Sequence, residues 1–265
     1  MSAPTDPPDP SQVVLFVHST GTGPALWNRV PAHVVGSRNV RFPANIGYAP
    51  GDVVPRGVTV SPADDAARVL TSATNFPAVH LVAHSYGALV ALHAAQQLGH
   101  RLASLFFFEP VVFGQLLHDP EVDDEARAQA RSFRYHPWFL TDLERGGGDD
   151  WLEMFVDYWN RPGSWARMPT AQKEETRALG WKMFQEVRSC FLDDLSPAQL
   201  RLSVPTTIVR GEKTTVAAIA MAKLVARAIP TARFIELPGA SHMAPLAQPD
   251  KVHPLLAQHF ARLRS

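Results

Sequence analysis

The chain of 265 residues has one cysteine, Cys190, so no disulfide framework can staple it from within. It has no surplus of charge, with 25 Lys and Arg against 25 Asp and Glu. The basic field of a nucleic-acid binder is missing, and no nucleic-acid partner is expected. No apolar run approaches the ~20 residues that cross a bilayer, and no membrane partner is expected either. The opening M-S-A-P-T-D-P-P-D-P-S-Q is proline-rich and acidic. It carries the pattern of neither a secretory signal nor a transit peptide, so the expected location is the cytoplasm. No internal repeat is visible. His80 and His84 share one strand face, but a strand does not offer the spacing of a helical metal pair. No metal site and no cofactor are expected. What remains is a chain with 46 % apolar residues. That suits a globular core in one α/β domain, with room for an inserted subdomain.

The most informative stretch is Val79–Leu92. An apolar run, V-H-L-V-A, leads into H-S-Y-G and then into a helix pattern reaching Gly99. Strand, sharp turn carrying Ser85, and helix make the layout of a nucleophile elbow. Such a turn needs small residues two before and two after the serine; Ala83 and Gly87 supply them. The following helix start aims N–H groups at the space above the serine, which favours developing negative charge.

The rest of the chain alternates strand and helix patterns. Residues 1–12 read as a flexible tail. Val13–Val17 reads as a strand buried on both faces, followed by the loop H-S-T-G-T-G-P. A weaker strand follows at Asn39–Pro43, then a Gly- and Pro-rich loop over Ala44–Val60. Ser61 caps a helix whose Asp64 and Asp65 are expected on its solvated first turn. Leu102–Phe108 is a strand that Pro110 stops. Residues 113–200 change character: strand patterns vanish and five of the six tryptophans lie here. Helices are expected near Glu121–Phe133, Trp151–Tyr158 and Ala171–Phe191, with a hinge or turn at Gly146–Asp150. Strands resume at Val204–Gly211 and Ala232–Leu237, with a helix at Val216–Ala228 between them and another at Asp250–Leu263. This alternation predicts a mostly parallel, doubly wound α/β sheet of about six strands. The core would comprise residues 13–112 and 201–265, and residues 113–200 an inserted helical cap.

From Val13 to Leu263 the chain resembles the α/β-hydrolase fold family. The resemblance rests on V-V-L-F-V-H-S-T-G, A-H-S-Y-G, F-F-F-E-P, the strand ending in R-G-E-K, and P-G-A-S-H-M-A-P, in that order. The family's first antiparallel strands have no counterpart. A serine needs an adjacent base and an orienter for that base. The resemblance makes His242, in the loop after the last strand, the base. It places the oxyanion hole at the backbone N–H groups of Tyr86 and Thr20, with serine at position 19 where the family has glycine. Ser19 and Thr20 side chains can also bond substrate. The usual place of the acid reads Glu212–Lys213–Thr214–Thr215, without aspartate. A minority of the family uses the end of the strand after the nucleophile helix, where Glu109 stands; Glu212 is the rival.

The cap would sit over Ser85, with Trp138, Trp159 and Trp181 as candidates for substrate contact. Together these features imply a serine hydrolase acting on a small apolar or aromatic ester or lactone through an acyl-enzyme. Cleavage of a C–C bond beside a carbonyl, thioester hydrolysis, and a non-catalytic binding member of the fold stay open. The expected partner is a small molecule; the oligomeric state is open.

Overall fold

The structure is a computed structural model and describes residues 9–198 and 201–263. Six strands form one sheet: β1 (Asp9–Val17), β2 (Arg38–Arg41), β3 (Ala78–His84), β4 (Leu102–Phe108), β5 (Thr206–Gly211) and β6 (Ala232–Leu237). The order is β2-β1-β3-β4-β5-β6, and every pair is parallel. The helices are α1 (Ala32–Val35), α2 (Pro62–Ser72), α3 (Tyr86–Leu98), α4 (Phe113–Leu116), α5 (Asp124–Arg134), α6 (Asp149–Trp159), α7 (Ser164–Arg167), α8 (Thr170–Leu192), α9 (Val216–Ala228), α10 (Ala244–Ala247) and α11 (Pro249–Arg262).

The period-2 rule explains why the central strands read as unbroken apolar runs. Val13, Leu15 and Val17 point to one face and join a core that includes residues of α2, α3, α9 and the helical segment after β4. Val14 and Phe16 point to the other and pack with Val34 of α1 and Val252, Leu256 and Phe260 of α11. β4 divides the same way, Leu105 and Phe107 against Phe106 and Phe108. Both faces are covered, so both alternate positions must be apolar.

β1 begins earlier than its apolar run. Asp9–Gln12, expected in the tail, pair with Arg38 and Ala78, and Arg38 Nε donates to Gln12 Oε1 at 3.0 Å. Backbone ladders extend through polar residues at the end of a strand, which an apolar count misses. The rest of the expected tail, residues 1–8, lies outside the described residues, as do 199–200 and 264–265.

Between Phe113 and Ala198 the described chain is helical, with α5, α6 and α8 where helices are predicted. The glycines at 146–148 are not a loose hinge. A Cβ on Gly147 would collide with the Gly180 carbonyl, and one on Gly146 would meet the Phe184 ring. The turn presses backbone to backbone against α8, and Gly147 at φ 77° also needs the left-handed region.

Candidate active site

The sheet reverses its winding between β1 and β3, and the crevice at the strand ends there is where open α/β sheets hold ligands. Ser85 stands on the turn from β3 to α3 with φ 56° and ψ −125°. A non-glycine residue there stores about 1–3 kcal/mol of strain. The surroundings hold it: Ser85 N–H donates to Phe108 O at 3.1 Å, and Ser85 O accepts from Ala88 N at 2.9 Å. Gly87 is required because a Cβ would stand 2.5 Å from His18 O and 2.7 Å from Val17 O. The start of α3 thus lies directly on the end of β1, bringing the Ser19–Thr20 loop beside the serine.

Ser85, His242 and Glu109 come together. Ser85 Oγ lies 3.1 Å from His242 Nε2, and His242 Nδ1 lies 2.6 Å from Glu109 Oε2. Nδ1 faces a carboxylate and therefore carries the proton, which leaves Nε2 free to accept from the serine hydroxyl. Glu109 is fully buried at the end of β4, with φ 43°. Burial of a carboxylate demands partners. Besides the imidazole, Oε1 accepts from Gly211 N–H at 2.7 Å and Oε2 from the Thr214 hydroxyl at 2.7 Å. Thr214, which stands near the family's usual acid position, therefore serves the glutamate. Glu212 instead faces outward and accepts from Gly239 N–H at 2.7 Å.

Two further rings hold His242. His84 Nε2 lies 2.9 Å from His242 O; burial pushes the His84 imidazole pKa well down, so it is neutral and donates to that carbonyl. The Trp159 indole, from the end of α6, stacks on the His242 ring with centroids 3.8 Å apart and planes at 22°. The indole face covers one side of the imidazole and limits how far the ring can turn.

The serine opens on a cavity of about 260 Å³ between the sheet's loops and the helical insertion. Ser19, Thr20, Thr22 and Met243 line one side, and Phe155, Trp159, Met168, Gln172 and Met183 of the insertion the other. Behind Phe155 and Trp159 lie two narrow apolar recesses of about 20 Å³ each, one reaching Ser85, Val111 and Cys190, the other ringed by Phe113, Phe133 and Phe139. Of the three candidate tryptophans, Trp159 lines the cavity. Trp138 packs edge-on against His136 under Arg145, and Trp181 donates to Val58 O at 2.9 Å beneath Arg56. Both pack within or beside the helical insertion and away from the cavity, so an abundance of tryptophan did not by itself locate the cavity wall. Among the described residues no three His, Cys, Asp or Glu side chains gather as a metal-binding group. No described helix is long and apolar enough to cross a membrane.

The expected solvated Asp65 is fully buried. Its Oδ2 accepts from Lys182 Nζ at 2.5 Å and from the Tyr86 hydroxyl at 2.6 Å, and Oδ1 from Ile46 N–H at 2.8 Å. Asp64 is the residue that serves the helix start, in a capping box with Ser61. Lys182 Nζ also stands 3.3 Å from Glu186. Sequence pattern gave one signal for this cluster: Lys182, Glu186 and Cys190 recur at i, i+4, beside the apolar row Met183, Val187 and Phe191. That spacing also describes an ordinary exposed ion pair.

The sequence profile of the alpha/beta hydrolase family matches residues 14–255. The chain belongs to that family. No curated protein sequence matches it significantly. Among solved structures, this α/β hydrolase is similar to a thermophilic esterase from Thermogutta terrifontis at 20 % identity, covering 98 % of this chain and 92 % of that one with a TM-score of 0.64. A hydrolase from Oleispira antarctica aligns at 14 % identity over 96 % and 93 % of the two chains, TM-score 0.71. An N-acyl homoserine lactone degrading enzyme aligns at 17 % identity over 93 % and 92 %, TM-score 0.67. At these identities the likeness speaks for the fold: an all-parallel six-stranded α/β-hydrolase sheet flanked by helices.

Proposed function

We propose that this α/β hydrolase cleaves a carboxylic ester or lactone of a small apolar or aromatic acyl compound, through an acyl-enzyme on Ser85. The observation that carries the reading is the unbroken chain of bonds from Ser85 Oγ through His242 to Glu109, opening on the cavity between core and cap. The esterase and the lactone-degrading enzyme of the same fold agree with it in chemistry.

In this reading Ser85 Oγ attacks the carbonyl carbon as its proton passes to His242 Nε2. Glu109 holds Nδ1–H and offsets the charge of the imidazolium. The carbonyl oxygen, now an anion, accepts from the backbone N–H groups of Tyr86 and Thr20. The C–O bond to the leaving alcohol breaks, and the alcohol oxygen takes the proton from Nε2. Water then gives its proton to Nε2 and attacks the acyl carbon; collapse returns the proton to Ser85 Oγ and frees the acid. Apolar contact from Phe155, Trp159, Met168 and Met183 suits an apolar substrate, and Gln172 offers one polar anchor.

The test is a fluorophosphonate probe together with a panel of short 4-nitrophenyl and naphthyl esters and unsubstituted lactones. Wild type is expected to take one label at Ser85 and turn over at least one ester or lactone, and Ser85→Ala to lose both. Equal labelling of the alanine variant, or no turnover and no label in wild type, overturns the reading.

A further inference from the structure

The buried ion cluster below the Ser19–Thr20 loop has no part in the steps above. Yet both residues whose N–H groups serve as oxyanion donors are attached to it. Tyr86 gives its hydroxyl to Asp65 at 2.6 Å. Burial pushes the Glu186 carboxyl pKa up to about 7; the Lys182 ammonium, then the Thr20 and Tyr48 hydroxyls, act against that rise. A third attachment runs through Tyr48, in the long loop before α2. Its hydroxyl accepts from Gly21 N–H at 2.8 Å and donates to Glu186 Oε2 at 2.9 Å. The Tyr48 ring also packs edge-on against His18, with centroids 4.5 Å apart. The oxyanion loop is therefore gripped at both ends, His18 and Gly21, by one tyrosine. His18 is fixed in turn: its Nδ1 donates to Ser19 O at 2.9 Å and its Nε2 accepts from Asn45 N–H at 3.1 Å.

Lys182 joins the two halves. It is 2 % exposed, and it meets Asp65 of α2 at 2.5 Å and Glu186 of its own helix α8 at 3.3 Å. Its ammonium also lies 5.5 Å from the centre of the Tyr86 ring. A buried lysine between two buried carboxyls is a costly way to join a helical insertion to a core, because apolar residues of the same volume often do so as well. What charges provide beyond apolar packing is direction: each bond fixes an atom at one distance and angle. Here the fixed atoms belong to the oxyanion loop and to the first residue of α3.

We propose that Tyr48, Asp65, Lys182 and Glu186 are positioning residues for the oxyanion hole, and that the cap helix α8 takes part in the chemistry by holding the loop that binds the anion. The proposal rests on the reading of Tyr86 and Thr20 as oxyanion donors. A donor helps only where it is already aimed at the anion's place. A loop freed at Gly21 would spread its N–H over several directions and lose part of that effect. Substrate binding before attack does not draw on it.

The test is Tyr48→Phe, which deletes one hydroxyl and keeps the ring on His18, with Lys182→Met as the stronger companion. Tyr48→Phe is expected to lower kcat about ten- to a hundredfold, less than the loss of a donor itself, with KM within about twofold. Binding of a trifluoromethyl ketone, which forms a tetrahedral adduct on the serine, should weaken by the same factor as kcat/KM. Amide exchange in the peptide spanning Val17–Trp27 should speed up in the variant without any substrate. If exchange accelerates but kcat is kept, the positioning role is overturned while the hydrolase reading stands. Unchanged exchange and unchanged kcat overturn it as well. A wild-type protein with no turnover and no phosphonate label overturns both. Lys182→Met that fails to fold leaves the decision with Tyr48→Phe.

Discussion

Glu109→Gln should remove nearly all turnover without disturbing the fold, and the geometry says why. Two N–H or O–H groups and one imidazole meet the carboxylate. Gly211 N–H can only donate, so the glutamine must place its oxygen where Oε1 stood, 2.7 Å from that nitrogen. The amide nitrogen then occupies the place of Oε2. One of its hydrogens faces the Thr214 hydroxyl, which can turn to accept it. The other faces His242 Nδ1, which must now accept. The imidazole proton moves to Nε2, opposite Ser85 Oγ, and the base can no longer take the serine proton. A wrong tautomer of this kind costs on the order of 10⁴ in turnover, about 5 kcal/mol in barrier height. The assay is kcat and KM on the best 4-nitrophenyl ester, with circular dichroism to show a native fold. KM should stay within about twofold, because no cavity-lining atom changes. Glu212→Gln, whose carboxylate serves only Gly239 N–H among the described bonds, should keep full activity. A folded Glu109→Gln enzyme with turnover within tenfold of wild type would refute the reasoning.

Two predictions concern stability. Gly147→Ala forces a side chain into the left-handed region and against the Gly180 carbonyl. It should cost at least ~2–3 kcal/mol and lower Tm by roughly 5–10 °C; an unchanged Tm would mean that the turn yields as a hinge does. The second lies under the sheet, where His80 Nδ1 and His259 Nε2 share the Ser104 hydroxyl at 2.8 and 3.0 Å. Burial, with Arg38 adding to it, lowers the His80 pKa to about 3 and that of His259 to about 4. Both stay neutral in the fold while the unfolded chain takes up protons below about 6.5. Their stability is present above that pH and is lost as pH falls toward 4, by a few kcal/mol in urea titrations. His259→Gln should flatten that slope, and an identical slope in the variant would exclude the pair as its source.

The fold was largely legible because burial on both faces writes strands as apolar runs. The helix Val216–Ala228 and the strand Ala232–Leu237 fall where the pattern puts them. The geometric neighbours Ser85, His242 and Glu109 were also nameable, Ser85 from the strand–turn–helix pattern and the other two from the family resemblance, with Glu212 as rival for the last. What escaped were features that depend on approach between distant segments. Asp65 looks like any acidic residue in a first turn until Lys182, 117 positions later, is laid upon it. Gly146–Asp150 reads as a hinge or a turn alike, and only the approach of α8 against Gly146 and Gly147 decides for the turn. Which of the helical insertion's aromatics face the cavity is likewise set by how α6 and α8 lie over the sheet. Composition records their number and not their direction.

Ser85 and His242 are 157 positions apart. A ribosome adding about 5–20 residues per second takes roughly 8–30 s to cover that distance. During that interval the elbow strand can pair with β1 and, once it is made, with β4, but the serine lacks its proposed base. The whole helical insertion is also made before His242 exists. A chain in synthesis thus carries its proposed nucleophile in an unactivated state and acquires its proposed base only after the helical insertion. Fragments released early would be inert toward esters, and activity would report on molecules whose last strand has docked.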